Sequence, residues 1–179
     1  MSIEYRQLAA HECGRIKEAN PARFIKRAWR SVNGTKQWVD LNWLDEGYPD
    51  GYDNHLAALK ATFEGGGFAM GAFDNNQLVG FVSINREVFG NQYQYVLLDQ
   101  LFVDNKYQNQ GIGKKLFYLS ADKAREWGAD KFYICAGSSE ATLGFYCALG
   151  CVEAKEINQT LAEDDENDMQ LEYALHLKP

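Results

Sequence analysis

The residues Gln108-Asn109-Gln110-Gly111-Ile112-Gly113-Lys114 carry the clearest chemical signal in this chain of 179 residues. They follow an apolar, strand-like run, Tyr95 to Val103, and open a helix-like one. Gly111 has no Cβ, so an anion can approach the main chain closely and φ is free. Gly113 allows the same at the helix start. The amides of 110 to 114 can then converge on a phosphate, and the helix N-terminus adds about half a positive charge. Lys114 supplies a further charge at the rim. Two other phosphate binders fail on the letters. A Walker A loop needs an earlier glycine and a Lys-Ser/Thr pair, and neither is present. A dinucleotide fingerprint needs a third glycine at 116, which is Leu116. Taken alone, Gly-x-Gly is equally consistent with close packing at a helix start.

Other chemistries find little support. Cysteines stand at 13, 135, 147 and 151, with no C-x-x-C, and no histidine (11, 55, 176) pairs with one at zinc-finger spacing. They read as free, mostly buried thiols of a reducing compartment, and no metal is expected. The net charge of −7, from 25 acidic and 18 basic residues, argues against a nucleic-acid partner and suits a cationic substrate. Part of the excess lies in Glu163-Asp164-Asp165-Glu166 with Asp168, which reads as a solvated loop. No apolar run approaches the ~18 residues of a membrane span. The N-terminal residues lack a signal-peptide pattern, so a cytoplasmic location is expected.

The elements that must position the glycine turn can be read in order. Ile3 to Leu8 is a short strand and Ala9 to Ala19 a short helix. Asn20-Pro21 reads as a helix start running to about Arg27. Asn33-Gly34 joins strands 28–32 and 35–43 as a hairpin. Trp29, Trp38 and Trp43 fall here, within an aromatic-rich insertion at 28–66 that either covers the sheet or walls an acceptor pocket. His55 to Phe63 is a helix capped by Asp53 or Asn54. Phe68 to Phe73, Leu78 to Asn85 and Tyr95 to Val103 form an antiparallel meander. After the turn, an amphipathic helix runs to Gly128, with Leu116, Phe117, Ser120, Ala121, Ala124 and Trp127 on one side. Lys131 to Cys135 is a strand, reached by a right-handed parallel crossover. Ser139 to Leu149 is a helix and Cys151 to Ile157 a strand. From Met169 to Leu177 apolar and polar residues alternate, giving a last strand with a polar outer face.

The run L-F-V-D-N-K-Y-Q-N-Q-G-I-G-K-K-L resembles the central motif of the GNAT superfamily of N-acetyltransferases, with Gln108, Gly111 and Gly113 at the matching positions. Downstream, S-x-x-T-x-x-F-Y-x-x-x-G, Ser139 to Gly150, resembles that superfamily's next motif. The resemblance covers residues from Gly67 to Leu177 and only loosely the insertion. It implies residues 1–179 as a single α/β (α+β) domain, with a mixed, mostly antiparallel sheet of six or seven strands and helices on both faces. The sheet would part between its fourth and fifth strands. The resemblance implies acetyl-CoA as cosubstrate. Leu101, Phe102 and Val103 would splay from a neighbouring strand at a bulge and bond the pantetheine arm. Gln108, Asn109, Gln110, Gly111, Ile112, Gly113 and Lys114 would wrap the pyrophosphate, and Ser139 and Phe145 would complete the cofactor side. Tyr146 would meet the departing thiolate. Asp99 would act as base or orient the acceptor, and strict alternation groups it with Leu101 and Val103, opposite Leu98, Gln100 and Phe102. Asp45, Glu46 and Glu87 are lesser candidates for the base.

Two positions depart from the pattern. Ser139 replaces an asparagine, and Gly150-Cys151 replaces Gly-Phe. Cys147 and Cys151 are taken as structural, since the superfamily transfers the acetyl group directly. The resulting expectation is an acetyl-CoA-dependent N-acetyltransferase acting on a small-molecule or peptide amine, with no membrane partner and a homodimer allowed. The alternative is a non-catalytic acyl-CoA-binding sensor or interaction module.

Overall fold

The apolar alternation between Phe68 and Val103 produces three neighbouring antiparallel strands in a computed structural model that describes residues 2–176. Among these residues seven strands form one sheet: β1 (Glu4–Gln7), β4 (Phe68–Asp74), β5 (Gln77–Ile84), β6 (Tyr95–Val103), β7 (Lys131–Ala136), β8 (Val152–Glu153) and β9 (Met169–Ala174). Their spatial order is β1-β4-β5-β6-β7-β9-β8. The β6–β7 pair is parallel and the other pairs are antiparallel. A separate hairpin is built from β2 (Arg23–Val32) and β3 (Thr35–Asp45). The turns follow from asparagine and glycine in left-handed conformations, Asn33-Gly34 (φ 51° and 78°) and Asn75-Asn76 (φ 48° and 65°).

Helices cover both faces. On one lie α2 (Ile112–Glu126) and α3 (Glu140–Ala148). The buried stripe of α2, including Leu116, Phe117, Ala121 and Ala124, meets Val82, Val96, Phe132 and Ile134 of the sheet. Each such large side chain contributes about 1.5–3 kcal/mol. On the other face a 3₁₀ segment, Ala10–Glu18, and α1 (Tyr52–Glu64) bury Ile16 and Leu59 against Leu78 and Phe81. No helix among the described residues is long and apolar enough to cross a membrane.

Several elements differ from expectation. Residues 23–27 belong to β2 and are not helical, because Phe24, Ile25, Trp29 and Val32 pair along nearly the whole of β3. Asn20 does not cap a helix. Its side chain accepts from Ala22 N–H at 3.0 Å, and its main chain bonds Asp104 and Asn105. Gly51 (φ 91°), not Asp53 or Asn54, precedes α1. The strand expected at 151–157 shrinks to β8. Leu177 lies outside the described residues.

The last strand is not polar and solvated on its second face. β9 is flanked by β7 and β8, and Glu172 is 3% exposed. Its carboxylate accepts from Lys131 Nζ at 2.6 Å, Tyr95 Oη–H at 2.6 Å and Lys155 N–H at 3.1 Å. Burial pushes the carboxyl up, but these partners together hold it below the usual range. Glu172→Ala would leave the Lys131 ammonium buried without its anion. A stability loss of about 3–5 kcal/mol in urea unfolding is expected, and an unchanged midpoint would refute this role.

Candidate active site

β6 pairs with β7 only where Tyr95, Val96 and Leu97 face Lys131, Phe132 and Tyr133. Beyond Leu97, β6 continues along β5 to Val103, while β7 continues along β9 to Ala136. The sheet parts between its fourth and fifth strands, as expected. From Leu98 onward the β6 edge toward β7 has no partner strand among the described residues, and an extended ligand can take that place.

A bulge lies within this stretch. Ser83 faces Gln100 and Ile84 faces Leu98, so Asp99 is the extra residue of β6. It sits two residues before the expected position at Leu101 to Val103 and reverses the alternation assumed from the letters. Leu98, Leu101 and Val103 now pack toward α2. Gln100 and Phe102 face α1, with Gln100 Oε1 2.9 Å from His55 Nδ1 and the Phe102 ring centroid 4.9 Å from that of His55. Leu98 is therefore grouped with Leu101 and Val103, not with Gln100 and Phe102.

A cavity of about 550 Å³ opens where the strands diverge. Of the expected site residues, Asp99, Leu101, Phe102, Ser139 and Tyr146 line it. Burial holds the Asp99 carboxyl above the ordinary aspartate range, opposed by Gln100, His55 and Thr62. Tyr146, on α3, is buried beside Phe117 and Phe145, and burial raises its hydroxyl so that it stays protonated. Ser139 caps α3. Its Oγ accepts from Thr142 N–H at 3.2 Å and donates to Thr142 Oγ1 at 2.9 Å.

Val103, Phe145 and the stretch from Gln108 to Lys114 lie outside the lining of this cavity. Gly111 adopts φ 84°, and no heavy atom lies within 4 Å of where a Cβ would stand. The main chain is therefore open to a ligand at the N-terminus of α2. Gln108 Nε2 donates to Val103 O at 3.0 Å and Gln110 Nε2 to Lys106 O at 2.9 Å, so both side chains shape the loop. Asn109 takes φ 59°. Ile112 is buried and anchors the helix. The Phe145 ring lies 3.4 Å from the Cβ position of Gly113, so this glycine admits α3 against α2. Lys114 is exposed at the rim.

Residues 35–151 match the family model described as the Acetyltransferase (GNAT) family. The chain belongs to that family. A protein of Lactobacillus delbrueckii subsp. lactis, named an uncharacterized N-acetyltransferase in the pepI 3' region, is 27% identical over 79 residues. That match covers 44% of this chain and 46% of the relative's length. Among solved structures, a nourseothricin acetyltransferase aligns with a TM-score of 0.72 at 15% identity, over 98% of this chain and 99% of that one. A putative streptothricin acetyltransferase from Bacillus anthracis str. Ames, in complex with acetyl coenzyme A, aligns with a TM-score of 0.68 at 18% identity, over 99% and 100%. At these identities the likeness is one of fold.

The GNAT cavity also recruits residues that the letters did not single out. The acidic run is exposed from Glu163 to Glu166, as expected of a solvated segment, yet it also borders the cavity. Asn158 caps α4 (Gln159–Asp164) by accepting from Leu161 N–H, and the chain leaving that helix brings Asp164, Asp165 and Asp168 to the cavity wall. The insertion contributes Ala28, Arg30, Asp45, Pro49, Asp50 and His55, but none of its tryptophans. Asp45 pairs with Arg23 at 3.8 Å, while Glu46 and Glu87 lie outside the lining. β2 is braced on the start of α3 and the loop before it: Trp29 N–H donates to Ser138 O at 2.9 Å, Arg23 Nη1 to Thr142 Oγ1 at 3.0 Å, and Arg30 to Ser138. Burial pushes the thiols of Cys135 and Cys151 up to about 12, so neither is disposed to be a thiolate. Cys147 is exposed.

Asp168 is pushed up to about 6, first by burial and then by Asp165. A folded-state value above the unfolded one means that ionisation opposes folding as pH rises through that interval. Asp168→Asn is thus expected to raise Tm at pH 7.5 and to lose that gain by about pH 3, below both the folded and the unfolded values. An equal or lower Tm at pH 7.5 would show that the carboxylate is not under strain.

Proposed function

We propose that this chain moves an acetyl group from acetyl-CoA to a primary amine by direct attack in a ternary complex. One juxtaposition carries the reading: Asp99 and Tyr146 line the same cavity, beside an unpaired strand edge and a glycine-opened helix N-terminus. The main chain from Leu98 to Val103 would bond the pantetheine arm as an added strand does. Amides 110 to 114 and Lys114 would hold the pyrophosphate, and the open space over Gly111 fits that approach. Support also comes from the acetyl coenzyme A bound in the B. anthracis relative.

In the reaction the amine nitrogen forms a bond to the thioester carbonyl carbon, and the carbon–sulfur bond breaks. Asp99, directly or through water, takes the proton the nitrogen must lose. A carboxyl raised by burial is a better base for that step than an ordinary one. Main-chain N–H groups near the bulge would polarise the carbonyl. Tyr146 would donate to the sulfur as it leaves, a role that its burial-raised hydroxyl suits. Nothing in this scheme calls for a metal. Neighbours of this fold include an acetyltransferase named for nourseothricin and the NatC complex bound to Gag peptide and CoA, the latter at a TM-score of 0.61 and 17% identity. Both small and peptide amines are therefore within its range.

The test is release of CoA thiol across a panel of amines, alongside acetyl-CoA binding by thermal shift. Tyr146→Phe should lower kcat by about 10²-fold with little change in the KM for acetyl-CoA. In the wild type, kcat/KM should fall on acidification at a pH above the ordinary aspartate range, and Asp99→Asn should remove that limb. Should acetyl-CoA bind while neither substitution slows turnover on any amine, the catalytic reading fails and a non-catalytic acyl-CoA-binding module takes its place.

A further inference from the structure

The cavity is strongly acidic away from the cofactor edge. Besides Asp99, its wall holds Asp45 at the end of β3, Asp50 in the turn before α1, and Asp164, Asp165 and Asp168 around the end of α4. Asp45 has Arg23. Among the described residues no ion pair within 4 Å engages the other five. Of the two arginines of the wall, Arg23 reaches Thr142 on α3 and Arg30 reaches Ser138 just before it, and their charges only partly offset the rise at Asp168.

The carboxylates surround one volume. The thiol of Cys135, itself in the lining, is pushed up by burial and then by Asp168, Asp164 and Asp99 together. The hydroxyl of Tyr146, raised first by burial, also feels the Asp168 charge. Asp164 and Asp168 thus act together with Asp99 on one thiol of the lining, Asp168 acts on Tyr146 as well, and Asp165 acts on Asp168. Like charges gathered along one wall oppose one another, most at the half-buried Asp168, and a cation set among them relieves that opposition.

We propose that the acceptor is a small diamine or polyamine, and that Asp164, Asp165 and Asp168 hold its second cationic group while the reacting nitrogen lies between Asp99 and Tyr146. This rests on the acetyl-transfer reading of the same cavity. A free amino acid is disfavoured, because its carboxylate would face the same acidic wall. Transfer converts one ammonium into a neutral amide: the nitrogen gives up two protons, one passing to solvent through Asp99 and the other replacing the one that Tyr146 gives to the departing CoA sulfur. The product then carries one positive charge fewer, which weakens its hold on the wall and favours release.

The experiment measures initial rates of CoA thiol release at saturating acetyl-CoA and low ionic strength, with 1,4-diaminobutane, spermidine and n-butylamine as acceptors. The better of the two polyamines should exceed n-butylamine in kcat/KM by about tenfold or more. Asp168→Asn should bring that ratio toward unity, mainly through KM. Asp165→Asn, at an exposed position, should act in the same direction and serves if the first variant folds poorly. Glu163→Gln removes an exposed charge of the same segment that does not line the cavity, and it should leave the ratio unchanged. If n-butylamine equals the polyamines, or the ratio survives both aspartate substitutions, the inference falls while acetyl transfer stands. If acetyl-CoA binds but no amine releases thiol, both fall.

Discussion

The parting of β6 from β7 is the constraint on which the rest of the molecule depends. A strand has two hydrogen-bonding edges, and β7 gives one of them to β9 along its full length. Its other edge follows β6 for three residues before the strands separate. β7 keeps its register with β9 and β6 stays paired with β5 through a single bulge at Asp99, so the sheet continues on either side of the opening. Main-chain donors and acceptors that would be satisfied inside a continuous sheet are left facing a cavity. Such groups are costly when buried without partners, and a site that lends them to a ligand turns the cost into recognition.

Around that opening, the two halves of the site are supported differently. The half to which we assign the cofactor rests on rigid elements: the edge of β6, the N-terminus of α2 and the packing of Phe145 over Gly113. Tyr146 belongs to the same packed layer, beside Phe117 in the main core. The other half is assembled from the β2–β3 hairpin, the turn before α1 and the segment after α4. Its principal ties to the cofactor half are polar, through Arg23, Arg30 and the Trp29 main chain.

Much of the cofactor half was legible in the letters, because its signals are local. A glycine with open space above it, a helical apolar stripe on α2 and a serine at the start of α3 each have one short-range explanation. The bulge was not legible, since an extra residue in a strand changes no composition and shows only in the register of the partner. Alternation counted from Val96 therefore assigned Leu98, Gln100 and Phe102 to one face. The Asn20-Pro21 signal was real but local, and the long pairing of β2 with β3 outweighed it. The acidic run has the composition of a solvated loop, and tertiary placement alone brings it to a cavity wall. Glu172 was misjudged for the same reason: alternation marks which residues share a face, not whether that face meets water.

The connection that carries α4 lies between β8 and β9, at the far edge of the sheet, and shares no hydrogen-bonded strand with β6. Its length and charge can change without disturbing the register of the bulge or the start of α2. A change of acceptor would then be confined to a dozen or so residues of one surface connection, about the length of an ordinary functional loop, while the strands to which we assign the transfer keep their pairing.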